Sequence, residues 1–295
     1  MDFLRPRTWE EAVALKAERP DATPIQGGTD VMVEINLGKG RPAALLDLGR
    51  IPELAGWSLE DGTVRLGAGV TYAQVIGELG GLLPGLAQAS RTVGSAQIRN
   101  RATVAGNLGS ASPAGDAHPP LLASGAVVEA ESVRGTRLIP VAEFYTGVKR
   151  NALAPDELIR AIRVPVARGP QYFSKIGTRN AMVIAVCSFA IALDAGGRRV
   201  GTGFGSAAPT PRRAPAAEEF LAGALDWEGA SPLDPGVARR FGELVAQAAS
   251  PIDDVRGRAA YRRHALAVMA RRTLAWAWED YRREGARTDR ERRPA

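Results

Sequence analysis

Short apolar stretches separated by turn-forming residues recur along the first half of the chain and predict a mixture of strands and helices. Two helix starts are marked by a Thr followed three residues later by Glu or Gln, at Thr8 to Glu11 and at Thr71 to Gln74. A further helix over residues 31–37 is expected to end at Gly38. Runs of apolar residues predict strands at 23–26, 44–48, 63–68, 126–130, 136–140 and 158–165.

The pattern changes after residues 165–170, a segment that contains Pro and Gly. Strands are predicted first, at 172–175, 188–193 and 200–205, with a hairpin turn at 194–198. Helices follow, and Asp234 with Pro235 is typical of a capped helix start. The last helix is predicted over 257–282, with Tyr261, Leu266, Met269, Thr273, Trp276 and Ala277 facing inward.

This order of elements predicts an α+β fold in two domains. The first domain is expected over 1–167, with subdomains at about 1–55 and 56–167. The second, a smaller domain of β-sheet plus helices, is expected over 171–283. Residues 284–295 are rich in Arg and have no apolar anchors, so this tail is expected to be disordered.

Composition narrows the possible functions. The 295 residues carry a formal net charge of +6, one cysteine and two histidines. A single thiol, Cys187, can complete neither an internal disulfide nor an iron–sulfur site, and it lies in an apolar run typical of buried, inert cysteines. His118 is interpreted as a polar loop residue and His264 as a structural or surface residue. We assign no catalytic residue and no metal ligand.

The same composition bears on location and on binding partners. No stretch of about 18 apolar residues occurs, so we expect a cytoplasmic protein without a membrane span. A basic surface attracts phosphates, acidic proteins and nucleic acid alike. Aromatic residues amount to only 6% and do not interleave with the basic residues as stacking platforms would, so a nucleic-acid adaptor is disfavoured.

The first candidate site is a strand followed by a glycine pair and a helix start. It consists of Pro24, Ile25, Gln26, Gly27, Gly28, Thr29, Asp30 and Val31. Glycines allow close backbone approach, and a helix N-terminus favours negative charge, so this segment can surround an anion such as a pyrophosphate. A simple capped turn is the alternative interpretation.

The second candidate site lies in a stretch of small residues, 102–115, without helical periodicity, for which tight turns are expected. It consists of Thr103, Val104, Ala105, Gly106 and Asn107, followed by Ser110 and Asp116. A carboxylate such as Asp116 can accept hydrogen bonds from sugar hydroxyls. A polar surface loop is the alternative interpretation.

Taken together, the two segments resemble the FAD-binding subunit of the molybdenum hydroxylases, the family of xanthine dehydrogenase and aerobic carbon monoxide dehydrogenase flavin subunits. The resemblance covers roughly residues 2–280 in sequence order. Further stretches that carry it are Asp47-Leu-Gly-Arg-Ile-Pro-Glu-Leu54, Leu66-Gly-Ala-Gly69, Val93-Gly-Ser-Ala-Gln-Ile-Arg-Asn100, Ala208-Pro-Thr-Pro-Arg-Arg-Ala214 and Asp254-Val-Arg-Gly-Arg-Ala-Ala-Tyr-Arg262.

The resemblance implies a two-part FAD-binding domain of the vanillyl-alcohol-oxidase/PCMH type and a flavoprotein C-terminal domain. It places residues 24–31 at the pyrophosphate and ribityl chain, and residues 103–107 on the other side. Asp116 would bind ribityl or phosphate-side groups, and Val93 would lie beside the isoalloxazine ring. Ile159 and Lys175 are further candidate contacts. The family usually has two glycines where this chain has Ala105 and Gly106, and Gln26 replaces a small residue.

The implied function is electron transfer within a complex. Electrons from the iron–sulfur clusters of a small partner subunit would reach FAD and then an external acceptor such as NAD, a quinone or oxygen. A large partner subunit would hold molybdopterin, and the assembly is expected to be a dimer of heterotrimers. The alternative is a stand-alone FAD-dependent oxidoreductase with the same FAD fold, such as an oxidase of the vanillyl-alcohol type or a reductase of peptidoglycan synthesis.

Overall fold

The computed structural model describes residues 1–38 and 40–291, with side chains described up to residue 284. The chain begins with a small parallel sheet in the order β1-β3-β2, in which two helices make the connections. Leu45 and Leu46 of the central strand are buried, and Leu46 belongs to the same hydrophobic core as Trp9 and Ala12 of the first helix. Its elements are β1 (Asp2–Leu4), α1 (Trp9–Glu18), β2 (Thr23–Ile25), α2 (Val31–Asn36) and β3 (Ala44–Asp47).

A five-stranded antiparallel sheet follows after a 3-10 helix at Pro52–Leu54. Its order is β4-β5-β10-β6-β7, and five helices lie between its second and third strands in sequence. The elements are β4 (Trp57–Glu60), β5 (Thr63–Gly67), α3 (Tyr72–Glu78), α4 (Pro84–Arg91), α5 (Ala96–Arg99), α6 (Val104–Ser110), α7 (His118–Ala123), β6 (Val127–Ser132), β7 (Gly135–Pro140), α8 (Val141–Phe144), β8 (Tyr145–Gly147), β9 (Arg150–Asn151) and β10 (Leu158–Pro165).

A three-stranded antiparallel sheet and three helices form the C-terminal part. The strands are β11 (Gln171–Ile176), β12 (Cys187–Asp194) and β13 (Arg199–Gly205), and the helices are α9 (Pro215–Ala224), α10 (Pro235–Gln247) and α11 (Ala259–Glu291). The predicted hairpin at 194–198 is confirmed, since Asp194 pairs with Arg199 across the turn. A separate hydrophobic core forms here around Phe189, Phe241 and Trp278.

The C-terminal sheet packs closely against helix α7 of the first part. A side-chain carbon at Gly201 would overlap the carbonyl of Ala123, and one at Gly203 would overlap the carbonyl of Pro119. Phe173 of β11 is buried in a small cluster with Ala89 and Ala123 at the same junction. Glycine at these two positions of β13 therefore lets strand backbone and helix backbone touch.

Three sequence predictions need correction here. Residues 102–115 are not only turns, because α6 spans Val104–Ser110 with Thr103 as its N-cap. The segment predicted as a disordered tail, 284–295, is helical as far as Glu291, since α11 continues to that residue, and residues 292–295 lie outside the described part of the chain. Tyr261 and Trp276, predicted to face inward, are each 50% exposed.

Candidate functional site

The two predicted segments lie backbone against backbone. A side-chain carbon at Gly27 would overlap the carbonyl of Arg101, so only glycine allows this approach. The next residue, Gly28, has φ +74°, a left-handed conformation that glycine adopts without strain. A second link is the hydrogen bond that Ser110 Oγ donates to Asp30 Oδ2 at 2.6 Å. The structure therefore brings residues 24–31 close to residues 101–110, a range that includes the predicted segment 103–107.

Helix α6 begins at the contact between these segments. Thr103 Oγ1 accepts a hydrogen bond from the backbone N–H of Gly106 at 2.9 Å. The earlier N–H groups of a helix have no partner within it, so the first turn of α6 presents donors and a partial positive charge. Ala105, where the resemblance implies a glycine, is 6% exposed and packs into the core. Its methyl group therefore does not cover the exposed Gly106.

Gln26, the second departure from the family pattern, points into the protein. Its Nε2 lies 3.0 Å from where a side-chain carbon on Gly69 would be, so Gly69 leaves space for this side chain. Its Oε1 is buried, and no residue in the described part of the chain donates a hydrogen bond to it.

Asp116 and Lys175 form a buried ion pair between the two parts of the chain. Lys175 Nζ donates to Asp116 Oδ2 at 2.5 Å, and the side chains are 8% and 7% exposed. Thr92 Oγ1 donates to the same oxygen at 3.1 Å. Burial raises the pKa of Asp116, although the Lys175 ammonium and the Thr92 hydroxyl oppose the shift. The other oxygen, Oδ1, is buried without a hydrogen-bond partner among the described residues.

A cleft with a volume of about 460 Å³ adjoins this ion pair. One wall is the turn after α4, where Arg99 Nη1 donates to the carbonyls of Val93 and Gly94 at 3.0 and 3.1 Å. The other wall comes from the C-terminal part and includes Lys175 and residues 177–183. Its charged lining residues are all cationic: Arg91, Arg99, Lys175 and Arg179. The cleft therefore favours an anionic or electron-rich group.

Two further residues were predicted as FAD contacts, Val93 and Ile159. Val93 is half-buried in the turn beside the cleft. Ile159 is 8% exposed in the core, and its Cδ1 lies 4.0 Å from where a side-chain carbon on Gly109 of α6 would be. Ile159 therefore packs against α6 at Gly109. Thr92 was missed from the sequence, because its contact with Asp116 joins residues 24 positions apart.

His118 was interpreted as a polar loop residue, but in the structure it is completely buried at the first position of α7.

Cys187 is buried as expected, and burial raises the pKa of its thiol to about 12. In the part of the chain that the structure describes, no three His, Cys, Asp or Glu side chains are grouped to hold a metal ion. Among the described residues, no helix is both long enough and apolar enough to cross a membrane.

The chain matches two family models and several known relatives. The model of the FAD binding domain in molybdopterin dehydrogenase matches residues 1–167, and that of the CO dehydrogenase flavoprotein C-terminal domain matches residues 172–277. The putative xanthine dehydrogenase FAD-binding subunit XdhB of Escherichia coli (strain K12) is 31% identical, over 93% of this chain and 95% of the relative.

Two carbon monoxide dehydrogenases extend the comparison. The medium chain from Afipia carboxidovorans is 32% identical, over 92% of this chain and 95% of its own length. The structure of the enzyme from Hydrogenophaga pseudoflava superposes with a TM-score of 0.87 at 28% identity, over 95% of this chain and 98% of the matched chain. The fold class and family predicted from the sequence are thereby confirmed, and the chain belongs to the FAD-binding subunits of the molybdenum hydroxylases, a family of oxidoreductases.

Proposed function

We propose that this chain is the electron-transfer subunit of a heteromeric molybdenum hydroxylase and holds its FAD where the two glycine-containing segments meet. One observation carries the site: Asp116 keeps one carboxylate oxygen bound to Lys175 and the other buried without a described partner. A buried acceptor without a donor costs free energy, and a hydroxyl group of FAD is a suitable donor. The residues present therefore fit the cofactor.

Each part of the site has its own role in this proposal. Residues 24–31 and 103–107 would hold the pyrophosphate through their backbone N–H groups, at the starts of α2 and α6. Asp116 would accept from a ribityl hydroxyl, and the Lys175 ammonium opposes the effect of burial, which raises the pKa of this carboxyl group. Val93 and the neighbouring cationic cleft would contact the flavin ring. Ile159 remains a candidate contact, and it also packs against α6 at Gly109.

FAD supplies one-electron and two-electron redox chemistry when bound. The chain's own residues bind and orient it, and the arginines around the cleft favour negative charge at the ring end. We infer that the chain passes electrons from the iron–sulfur clusters of a small partner subunit to an external acceptor, which is NAD, a quinone or oxygen. A large partner subunit holds molybdopterin, and the complex is a cytoplasmic dimer of heterotrimers.

The division into domains is part of the same proposal. Two separate hydrophobic cores, one around Trp9 and Leu66 and one around Phe189 and Trp278, support a boundary near residue 167. The alternative, a stand-alone flavin oxidoreductase, lacks a specific observation in its favour, because the C-terminal part matches the flavoprotein C-terminal domain of CO dehydrogenase.

Purification tests the assignment in two steps. The protein alone should show a flavin band and release one equivalent of FAD on denaturation, and Asp116→Ala should weaken FAD retention. Expression with the neighbouring genes should yield two unlike partner subunits. Full occupancy and unchanged FAD affinity in Asp116→Ala would show that the site is elsewhere, and a chain that never associates with partners would favour the stand-alone alternative.

The electron-transfer role needs the assembled complex. After anaerobic reduction with dithionite, each candidate acceptor is added and reoxidation of the flavin and iron–sulfur bands is followed. We expect one acceptor to reoxidise the complex rapidly, and we expect a complex stripped of FAD to lose this reaction. Equal rates with and without FAD would contradict the proposed route.

A further inference from the structure

His118 lies two residues after Asp116 and is completely buried. Its Nδ1 is 2.8 Å from the hydroxyl oxygen of Tyr145, and the two rings pack edge to face with centroids 4.9 Å apart. Phe144 packs against Tyr145 in the same way, with centroids 5.7 Å apart. The histidine ring therefore contacts Tyr145 on one side, and Phe144 in turn packs against Tyr145.

The ring is neutral. Burial lowers the pKa of His118 to about 3, and the backbone of Ser112 opposes this shift only in part. A neutral imidazole has one donor and one acceptor nitrogen. Burial raises the pKa of Tyr145, so its hydroxyl is protonated. Either group can donate across the 2.8 Å contact, and we assign Nδ1 as the acceptor of the Tyr145 hydroxyl. The hydrogen of the imidazole is then on Nε2, for which no well-aligned partner exists among the described residues.

The opposite side of the ring touches the turn that carries Asp116. A side-chain carbon at Gly115 would overlap both the His118 ring and Oδ1 of Asn107, so Gly115 lies between these two side chains. Asn107 Oδ1 also accepts from the backbone N–H of Ala117 at 3.4 Å. The residues on either side of Asp116 are therefore fixed by His118 and Asn107.

We propose that His118, held by Tyr145, is a positioning residue that fixes the 112–116 turn and so presents the free oxygen of Asp116 to FAD. This inference rests on the proposed FAD site. It predicts that His118 affects FAD binding through Asp116, and that the acceptor nitrogen toward Tyr145 is the important feature of the ring.

The test is a double-mutant cycle on the full chain, stripped of FAD and titrated with FAD by flavin fluorescence. We expect His118→Leu to weaken binding on the order of ten-fold, since it removes the buried hydrogen bond to Tyr145. In an Asp116→Ala background the same substitution should have no further effect, whereas a general packing role would weaken binding equally in both backgrounds. His118→Asn, which keeps an acceptor for Tyr145, should restore most of the affinity.

His264 provides the matched control, because it is exposed on α11 and His264→Leu makes the same chemical change. Unchanged affinity in His118→Leu, or equal losses in both backgrounds, would overturn the inference. A wild-type chain that does not bind FAD would instead reject the proposed function. If His118→Leu does not fold, Tyr145→Phe carries the test with the same expectation in the two Asp116 backgrounds.

Discussion

At Gly27 the chain has no room for a side chain, because a carbon there would overlap the carbonyl of Arg101. Gly27→Ala must therefore move the two cofactor segments apart. We expect this variant to lose FAD affinity by at least ten-fold, since backbone N–H groups can bind a pyrophosphate only at short range. Fluorescence titration of the purified chain with FAD measures the effect.

Gly56→Ala is the matched control for this prediction. Gly56 is exposed, and a side-chain carbon there would have no neighbour within 4 Å. The control should bind FAD like the wild type. If Gly27→Ala also does so, the contact between the segments has no role in cofactor binding.

His118 also predicts a dependence of stability on pH. Its pKa is lowered to about 3 in the folded chain but is about 6.5 in an unfolded chain. Between these values the unfolded state binds the extra proton, so stability falls as pH decreases, by at most about 1.4 kcal/mol per pH unit. His118→Asn should reduce this loss between pH 6.5 and 5, as measured by urea denaturation. Equal slopes for variant and wild type would contradict the assignment of a neutral, buried ring.

Sequence patterns identified the glycines and Asp116 but not what surrounds them. Gly27, Gly28 and Asp116 lie in segments that a capped turn or a polar loop would also explain, and the resemblance of the whole chain to the family is what marked them as a cofactor site. The partners Thr92 and Tyr145 come from other elements, and no local pattern marks such long-range contacts.

Helix α6 carries the second half of the proposed FAD site, and its N-cap offers a test at the level of the element. Thr103→Ala removes the side chain that caps Gly106, which should cost about 1 kcal/mol of stability. It should also weaken FAD binding, because the first turn of α6 is at the site. Thermal unfolding and FAD titration measure the two effects separately.

Thr8→Ala is the corresponding control, since Thr8 caps α1 by accepting from the N–H of Glu11. It should lower stability by a similar amount and leave FAD affinity unchanged. A similar loss of FAD affinity in both variants would mean that stability alone governs binding.

Helices and strands were predictable where the sequence has a clear pattern of apolar and polar residues or a capping motif. The capping box at Thr71 and Gln74 is present as predicted. Helix α6 was missed because it consists of small residues and buries only Val104, Ala105 and Leu108, which gives no clear periodicity. In α11, Trp276 was assigned to the core from the pattern of apolar positions along the helix, yet it packs against Tyr172 with ring centroids 6.2 Å apart and is 50% exposed.

At the scale of the whole molecule, the Asp116–Lys175 ion pair joins the N-terminal and C-terminal parts of the chain, each of which has its own hydrophobic core. Lys175→Met would leave a buried carboxylate without its cation, which typically costs about 3–5 kcal/mol. Replacing both partners, as Asp116→Leu with Lys175→Met, should recover much of this stability but not FAD binding. Urea denaturation and FAD titration of the single and double variants distinguish the two effects.

An exposed ion pair provides the comparison. Arg198 and Glu228 are 60% and 80% exposed, so Arg198→Met should leave the free energy of unfolding nearly unchanged. If Lys175→Met is equally mild, the buried pair does not hold the two parts together.

The buried, unpartnered oxygen of Asp116 has a consequence for the life of the protein in the cell. Without FAD, the folded chain retains a buried acceptor that has no hydrogen-bond partner among the described residues. A ligand that binds only the folded state stabilises that state by mass action, by about 2.7 kcal/mol when the ligand concentration is one hundred times Kd. Newly made subunits should therefore be more sensitive to proteolysis until flavin is supplied. The amount of this subunit that accumulates would then follow the supply of flavin as well as the rate of its synthesis.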